Sequence, residues 1–481
     1  MAGYSTFGAV AKLLSPDNET GGLKSMSTLS VTTLLQNNVR YAVRGLFREN
    51  PVRSRIVSIL HEHEQMSEQE LQRITSRWLL RSLRAATRLS RYASLRINCS
   101  EHDVCDFVRD RVPISDKTDL LRVPLQFYPH GGRIYPWTIV GKTSGTTGTP
   151  LTVVRSVASV LWANAFKKRH WTWSGFREGM PVATLRGDLV VPVEQKIPPY
   201  WFYNRYNNHL VFSSRHLRQG CIAAIADELE RFSPFILEAY PSTAYELARY
   251  LKEQSRRIPI PFVYTGSEPL YDYQRDLIRN QFEAKIMDHY GMAERVAYAT
   301  ECEFGNMHLN TDYSFVEIVD GEGRPTADCG YVVGTTYHNL AMPLMRYRLN
   351  DQAKWKRGRC ECGRTYPMIE RVIGKYEDVI CASTGSPVSA SLVTFVFKEM
   401  QHIDKSQVAQ VAQDRWEVRI VPADGFTDAD RQKLISRFRT LVDPSLKIDV
   451  VLTNDIPRTE AGKYRWVVNE YQNNRGGPGN R

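Results

Sequence analysis

Hydrophobic residues recur with a helical period in the first part of the chain. The pattern is helical over about residues 39–96, and Ser67 followed by Glu70 forms a capping box that opens an amphipathic segment. The polar side of this segment holds a row of arginines: Arg73, Arg77, Arg81, Arg84, Arg88 and Arg91. We predict a scaffold helix whose basic face is solvated. Contact of this face with a membrane or a nucleic acid is the alternative.

Short apolar strands alternate with amphipathic helices between about residues 130 and 350, which is typical of an α/β core. The strands are predicted at 133–140, 182–186, 261–265, 285–290, 314–319 and 331–337. The helices are predicted at 156–171, 219–232, 242–254 and 270–282. Further strands at 378–381, 416–421 and 447–452 surround helices near 391–400 and 427–441. This second set predicts a small α+β module.

The predicted fold class is therefore α/β (α+β), with a large N-terminal domain that starts with helices and a small C-terminal α+β domain. The predicted divisions are a loose lead-in at 1–34, a large domain at 35–373, a connection at 374–378, a small domain at 379–470 and a disordered tail at 471–481.

The composition is that of a globular protein. Of its 481 residues, 42% are hydrophobic and 24% are charged, which excludes a mainly disordered, collagen-like or coiled-coil chain. The net charge of +11 suits a partner rich in phosphate or carboxylate, such as a nucleotide or coenzyme A. Eight cysteines are too few for a disulfide framework. Since neither a membrane helix nor a secretory signal is visible, we expect a soluble cytoplasmic protein.

The strongest single motif is the segment at 142–150, Lys-Thr-Ser-Gly-Thr-Thr-Gly-Thr-Pro. Its glycines allow tight turns, and its amides and hydroxyls can surround phosphate oxygens. The Gly141-Lys142-Thr143 sequence is similar to the end of a Walker A loop, but that motif needs glycine where Pro136 stands, which excludes it. A surface turn without function is the alternative for the composition alone.

The segment TSGTTGTP resembles the phosphate-binding signature of the adenylate-forming superfamily, which includes acyl-CoA synthetases, adenylation domains and luciferases. Four later segments resemble the other signatures of that superfamily in the right order: 264–270, 290–294, 347–351 and 457–465. Within it, residues 112–117, 185–188 and 240–242 resemble the phenylacetate–CoA ligase branch, and most closely its capsular-polysaccharide-associated relatives. The resemblance covers roughly residues 35–468.

The resemblance implies a site for ATP and Mg²⁺. The residues implied to bind ATP are Thr143, Ser144, Gly145, Thr146, Thr147, Gly148, Gly266, Ser267, Glu268, Pro269, Tyr290, Gly291, Met292, Asp351 and Lys375. Tyr290 offers an aromatic face to adenine, Asp351 can accept hydrogen bonds from both ribose hydroxyls, and Glu294 suits Mg²⁺. Core packing by Tyr290 and a turn role for Asp351 beside Arg348 are the structural alternatives.

The C-terminal part is implied to deliver a lysine and to move. Lys463 would place its charge between the substrate carboxylate and the α-phosphate, as a catalytic residue together with Glu294. The hinge motif of the family has arginine where Lys375 stands here, which keeps the charge but loses the bidentate fork. The mobile small domain is expected to swing about Glu377 or Asp378.

A zinc site is expected from one histidine and three cysteines. Five residues separate Cys302 from His308, and Cys360 and Cys362 flank a single residue, so together they offer three thiolates and one imidazole. The resemblance to a zinc site in some phenylacetate–CoA ligase relatives favours this hypothesis. Four protein ligands leave no position for water, so the metal would be structural. Separate reduced cysteines beside a basic turn are the alternative.

The expected activity is ATP-dependent formation of an acyl-adenylate from a carboxylic acid, expected to be an aryl acid, followed by transfer to coenzyme A. Transfer to an amine or a hydroxyl, and an inactive scaffold that keeps the fold, stay as alternatives. Aromatic residues that fit an aryl acid, or ordinary packing, are Trp162, Trp171, Trp173, Trp201, Phe202 and Tyr203. We expect no nucleic-acid partner and leave the oligomeric state open, with a dimer among the options.

Overall fold

In the computed structural model of the chain, the described residues are 37–43, 45, 50–128, 138–142, 151–186, 188, 190–192, 195–217, 220–370, 372, 380–383, 387–388, 393, 396–397, 400, 402–456 and 465–473. The predicted connection at 374–378 lies outside them, as does residue 401.

The helices described are, in chain order, α1 (Pro51–Gln65), α2 (Glu68–Ala86), α3 (Val104–Arg111), α4 (Lys117–Arg122), α5 (Val157–Thr172), α6 (Ile222–Phe232), α7 (Pro241–Glu253), α8 (Asp272–Phe282), α9 (Asp428–Leu441) and α10 (Glu470–Asn473). Among the described residues, no helix is both long enough and apolar enough to span a lipid bilayer.

The strands are β1 (Thr138–Lys142), β2 (Thr152–Ser156), β3 (Val182–Arg186), β4 (Trp201–Asn204), β5 (His209–Ser213), β6 (Ile236–Ala239), β7 (Phe262–Gly266), β8 (Lys285–Gly291), β9 (Tyr298–Glu301), β10 (Met307–Leu309), β11 (Ser314–Val319), β12 (Gly330–Thr336), β13 (Tyr347–Ala353), β14 (Trp355–Lys356), β15 (Met368–Ile369), β16 (Ile380–Cys381), β17 (Pro387–Val388), β18 (Ile403–Ala412), β19 (Arg415–Pro422), β20 (Lys447–Leu452) and β21 (Val467–Asn469).

Two capped helices, α1 and α2, follow one another near the start of the described residues. In α1, Pro51 occupies the first turn and the Asn50 side chain accepts a hydrogen bond from the Arg53 backbone N–H at 3.0 Å. The predicted capping box of Ser67 and Glu70 is confirmed at the start of α2. The long helical run that the sequence predicts is interrupted at Met66, where the backbone is extended.

Helix α2 packs through its apolar stripe. Leu79 and Leu83 are fully buried, in one cluster with Val104 and Val108 of α3 and with Met345. The opposite side carries charged residues, and Arg77 pairs with Glu101 at 3.0 Å, with both side chains largely exposed. The helix is thus a scaffold element, as predicted.

A ten-stranded mixed sheet forms the centre of the large part. Its order is β14-β15-β10-β9-β8-β7-β6-β3-β5-β4. Strands β8, β7, β6, β3 and β5 are parallel to one another. Strands β4, β9, β10, β15 and β14 are antiparallel to their neighbours. Helices α6, α7 and α8 connect the parallel strands and pack on them around a large apolar core. This architecture agrees with the predicted mixed α/β class.

Four smaller sheets complete the described fold, and two of them are two-stranded, β1 with β2 and β16 with β17. Strands β11, β12 and β13 form an antiparallel sheet beside the central one. Near the C-terminus, β20-β19-β18-β21 form a mixed sheet covered by α9, with Trp416, Phe438 and Leu434 fully buried between them. The predicted C-terminal α+β module is therefore present, with β18 and β21 as strands that the sequence pattern did not predict.

Candidate active site and metal centre

The predicted nucleotide residues lie where parallel strands end. β7 ends at Gly266 and β8 ends at Gly291, and the register places Gly266 opposite His289. In open α/β sheets, ligands bind outside the carboxyl ends of such strands. The structure thus brings the turn after β7 and the residues around Tyr290 to one edge of the sheet.

The turn at Gly266–Pro269 is held from two sides. A side chain at Gly266 is excluded, because a Cβ there would lie 2.3 Å from a ring carbon of His289. Ser267 adopts a left-handed backbone conformation with φ of 69°. The Glu268 carboxylate accepts a hydrogen bond from the Ser242 backbone N–H at 3.1 Å, which ties the turn to the start of α7.

Tyr290 and Asp351 form a direct pair between two sheets. The phenol of Tyr290 on β8 donates to the Asp351 carboxylate on β13 at 2.6 Å. Burial and then the neighbouring Asp351 carboxylate hold the pKa of Tyr290 well above its ordinary value, and the charge of Glu294 adds to this effect. The phenol therefore stays protonated at neutral pH and orients the carboxylate. These three predicted residues lie close to one another.

A buried charge network touches the same turn, and the sequence patterns did not reveal it. Arg186, at the end of β3, donates to the Ser267 hydroxyl at 2.7 Å and to Glu238 at 2.7 Å. Lys167 of α5 donates to the other oxygen of Glu238 at 2.6 Å. Burial opposes ionisation of Glu238, but the two cations outweigh it and hold the pKa of its carboxyl well below the ordinary value.

Neutral histidines border this network. Burial lowers the pKa of His209 to about 4, and its ring bonds the Thr184 hydroxyl at 2.7 Å. Burial, aided by the charge of Arg186, also lowers the pKa of His289 to about 4. At the residue before His289, burial and the charge of Glu301 raise the pKa of Asp288 to about 6. Only tertiary packing brings these groups together, so no local motif could have indicated them.

The aromatic residues considered for an aryl substrate are engaged in packing. Trp162 stacks on His338 with ring centroids 4.0 Å apart. Trp171 and Trp173 lie in one buried cluster with Tyr264. The remaining three residues, Trp201, Phe202 and Tyr203, belong to β4 at the edge of the sheet. Their contacts add no separate support for an aryl acid.

Several predicted residues lie outside the described part of the chain. They are Thr143, Ser144, Gly145, Thr146, Thr147 and Gly148 of the phosphate loop, Lys375, Glu377 and Asp378 of the hinge, and Lys463. The strands on either side of the phosphate loop, β1 and β2, are described and pair antiparallel, with Lys142 opposite Thr152. The roles of the predicted residues outside the described part stay predictions.

The predicted metal ligands come together at the antiparallel end of the central sheet. The ligand atoms of Cys302, His308, Cys360 and Cys362 all lie within 4.8 Å of one another. The sulfur atoms of Cys302 and Cys360 are 3.6 Å apart, and the Cys362 sulfur lies 3.3 Å from Nε2 of His308. Tetrahedral zinc with Zn–S bonds of ~2.3 Å needs separations close to these.

The surroundings of the cluster fit a bound metal. Nδ1 of His308 is 3.0 Å from the Tyr366 carbonyl, so this nitrogen carries the proton and Nε2 presents its lone pair to the thiols. Burial raises the pKa of Cys302 to about 12, whereas metal binding would deprotonate it. The three cysteines pack against Trp173 and Met287 beneath the sheet. The residues present therefore fit a structural Zn²⁺.

Comparison with known proteins shows two groups of similar sequences. The CapK C-terminal domain family matches residues 380–470. The protein CapK of Staphylococcus aureus is 24% identical over 345 residues, which cover 68% of this chain and 73% of CapK. A phenylacetate-coenzyme A ligase of Thermus thermophilus is 24% identical over 411 residues, or 74% of this chain and 86% of that one.

A solved structure shares the fold. The structure of 2-hydroxyisobutyryl-CoA ligase in the postadenylation state matches with a TM-score of 0.66 at 19% identity, covering 86% of this chain and 92% of that one. The same ligase in the thioesterification state gives a TM-score of 0.52 at the same identity and coverage. The fold is thus that of the AMP-forming ligases. By sequence, the chain is similar to phenylacetate-coenzyme A ligases and to CapK, and its residues 380–470 match the CapK C-terminal domain family.

Proposed function

We propose that the protein activates a carboxylic acid with ATP to an acyl-adenylate and then transfers the acyl group to coenzyme A. The observation that carries this proposal is the Tyr290–Asp351 pair, which lies at the strand ends beside the Gly266–Ser267 turn. The ligase names of the relatives in Thermus thermophilus and Pseudomonas putida support the reaction class.

In the proposed site, each described residue has a binding task. Asp351 accepts hydrogen bonds from the ribose hydroxyls, with its orientation set by the Tyr290 phenol. The Gly266–Pro269 turn and the face of Tyr290 border the adenine. The loop at 143–148 and Lys375 bind the phosphates, and Glu294 is the ligand for Mg²⁺, which neutralises phosphate charge when it is bound.

The proposed first step is a displacement at phosphorus. A carboxylate oxygen of the acid forms a bond to the α-phosphorus of ATP, and the bond from that phosphorus to the bridging oxygen of pyrophosphate breaks. Lys463 lies between the two reacting anions and stabilises the charge that develops there. Positioning and charge cancellation supply most of the catalysis in such a reaction.

The proposed second step is attack by an acceptor on the acyl carbon, which releases AMP. With coenzyme A, the attacking atom is the thiol sulfur, which loses its proton, and the product is a thioester. An amine or hydroxyl acceptor, giving an amide or an ester, is the second candidate.

Product identification tests the proposal. The protein is incubated with ATP, Mg²⁺ and mixtures of aryl, alkyl and hydroxy acids, and the products are analysed by mass spectrometry. We expect AMP, pyrophosphate and one acyl-adenylate, and then a thioester or an amide when coenzyme A or amines are added. ADP in place of AMP would contradict the proposed chemistry.

A further inference from the structure

Charged residues of opposite sign face one another between helix α7 and the start of β18. Arg249 of α7 forms an ion pair with Asp404. Glu246, one turn earlier on the same helix, lies 3.5 Å from the Lys405 ammonium, which also donates to Asp455 at 3.0 Å. A base and an acid on α7 thus meet an acid and a base at consecutive positions of β18. All four side chains are at least half buried.

An aromatic contact lies beside these pairs. The ring of Trp466 meets Tyr271 at a centroid distance of 5.1 Å and Phe397 at 5.6 Å. Its indole nitrogen donates to the Ser406 hydroxyl at 3.0 Å. Trp466 therefore joins the large part, through Tyr271, to the C-terminal part, through Phe397 and Ser406.

The packing between the two parts is otherwise incomplete. A cavity of about 290 Å³ lies between them, and it is lined from one side by Ser242, Tyr245 and Tyr273 and from the other by Phe397, Met400 and Ile403. Because the apolar surfaces do not close on each other, the small part can leave α7 without opening a packed core. The two ion pairs and the Trp466–Tyr271 contact therefore hold this arrangement together.

We propose that the Arg249–Asp404 and Glu246–Lys405 pairs form an electrostatic latch that holds the C-terminal part in its adenylate-forming arrangement and opens before acyl transfer. The better match of the chain to the postadenylation state than to the thioesterification state of the solved ligase supports this assignment. The catalytic meaning of the latch rests on the proposed function, whereas the contact itself does not.

Hydrogen–deuterium exchange tests the latch without a substrate. Full-length wild-type protein is compared with Asp404→Arg, Arg249→Asp and the double charge reversal, each with ATP and Mg²⁺. In Asp404→Arg, a change in the C-terminal part, we expect peptides of α7 to exchange about threefold faster or more. The double variant should return exchange in α7 and β18 to the wild-type rate.

Arg256→Asp is the matched control. Arg256 pairs with Asp227 and Glu230 within the large part, so this variant has the same charge change outside the contact. It should leave exchange in β18 unchanged. Unfolding midpoints within a few degrees of wild type show that all variants are folded. Wild-type exchange in α7 of folded Asp404→Arg would overturn the latch, as would failure of the double variant to restore it.

The rates of the two half-reactions provide a second test of the latch once an acid substrate has been found. Each single reversal should slow ATP–pyrophosphate exchange while transfer from preformed acyl-adenylate keeps its rate or gains, because only the first step needs the latch closed. Equal loss of both steps would overturn the catalytic part of the proposal. If no acid is activated at all, the proposed function fails, and the exchange result still decides whether the latch exists.

Discussion

At the scale of single residues, the Tyr290–Asp351 hydrogen bond orients the carboxylate that is proposed to bind the ribose. The phenol holds one oxygen of the carboxylate at 2.6 Å, which limits the orientations that Asp351 can take. A charge-assisted hydrogen bond of this kind is worth roughly 1.5–3 kcal/mol. The loss of the phenol should therefore weaken nucleotide binding more than it weakens the fold.

Tyr290→Phe tests this role. We expect the KM for ATP to rise about tenfold or more, because the carboxylate loses its orienting partner, while kcat at saturating ATP changes less. The control is Tyr200→Phe, which removes a phenol that donates to the Lys196 carbonyl at 2.6 Å elsewhere in the fold. An unchanged KM in Tyr290→Phe would contradict the binding role.

The buried histidines make stability depend on pH. The pKa of His209 is about 4 in the folded protein and 6.5 in its ordinary state. The folded protein binds fewer protons than the unfolded chain between these values, so the contribution of this group is complete above pH 6.5 and is lost as the pH falls toward 4.

His209→Gln should weaken the pH dependence of the unfolding free energy below pH 6.5. The amide cannot take up a proton, so the loss of unfolding free energy between pH 6.5 and 4 should be smaller than in wild type by up to about 3 kcal/mol. Urea unfolding at several pH values measures it. The exposed His102→Gln serves as the control. Parallel pH curves for wild type and His209→Gln would contradict the burial argument.

At the scale of elements, the sequence pattern predicted several strands of the central sheet but missed others, including the ten-residue β18, whose residues are largely polar. The predicted strand at 182–186 agrees with β3, and the predicted strand at 285–290 agrees with β8 to within one residue. Strands β6 and β10 were not predicted, because runs of three or four residues give no period. Their pairing in the sheet, not their local pattern, makes them strands.

The metal centre belongs to the scale of elements, because its four ligands lie on or after three different strands. Cys302 follows β9, His308 lies on β10, and Cys360 and Cys362 follow β14. The cysteine spacing suggested the ligands, but only the sheet order places β10 next to β9 and β15. A bound metal would fix these short strands, which have few backbone hydrogen bonds of their own.

We expect purified protein to contain about one zinc per chain by elemental analysis. Cys362→Ser should lower the metal content and the unfolding midpoint together, since the site loses one of four ligands. The exposed Cys329→Ser, which lies outside the cluster, should change neither. A fully stable wild-type protein without metal would refute the structural zinc.

At the scale of the whole molecule, the proposed active site needs both parts of the chain. In the proposal, the large part supplies the nucleotide-binding residues on β7, β8 and β13, and the C-terminal part supplies Lys463. The resemblance of the motifs, and their order in the sequence, indicated these residues and Lys463. The charge network of Lys167, Arg186 and Glu238 was invisible there, because its members are 19 and 52 residues apart in the chain and meet only through the parallel strands.

The most direct test of the central claim is ATP–pyrophosphate exchange with a panel of acids, in the presence of Mg²⁺ and without an acceptor. We predict acid-dependent exchange with at least one acid. Lys463→Ala should lower its rate by roughly 10²–10³, while Lys447→Ala, an exposed lysine paired with Asp414, should not. Absence of exchange with every acid from folded, metal-loaded protein, or wild-type exchange by Lys463→Ala, would contradict the account.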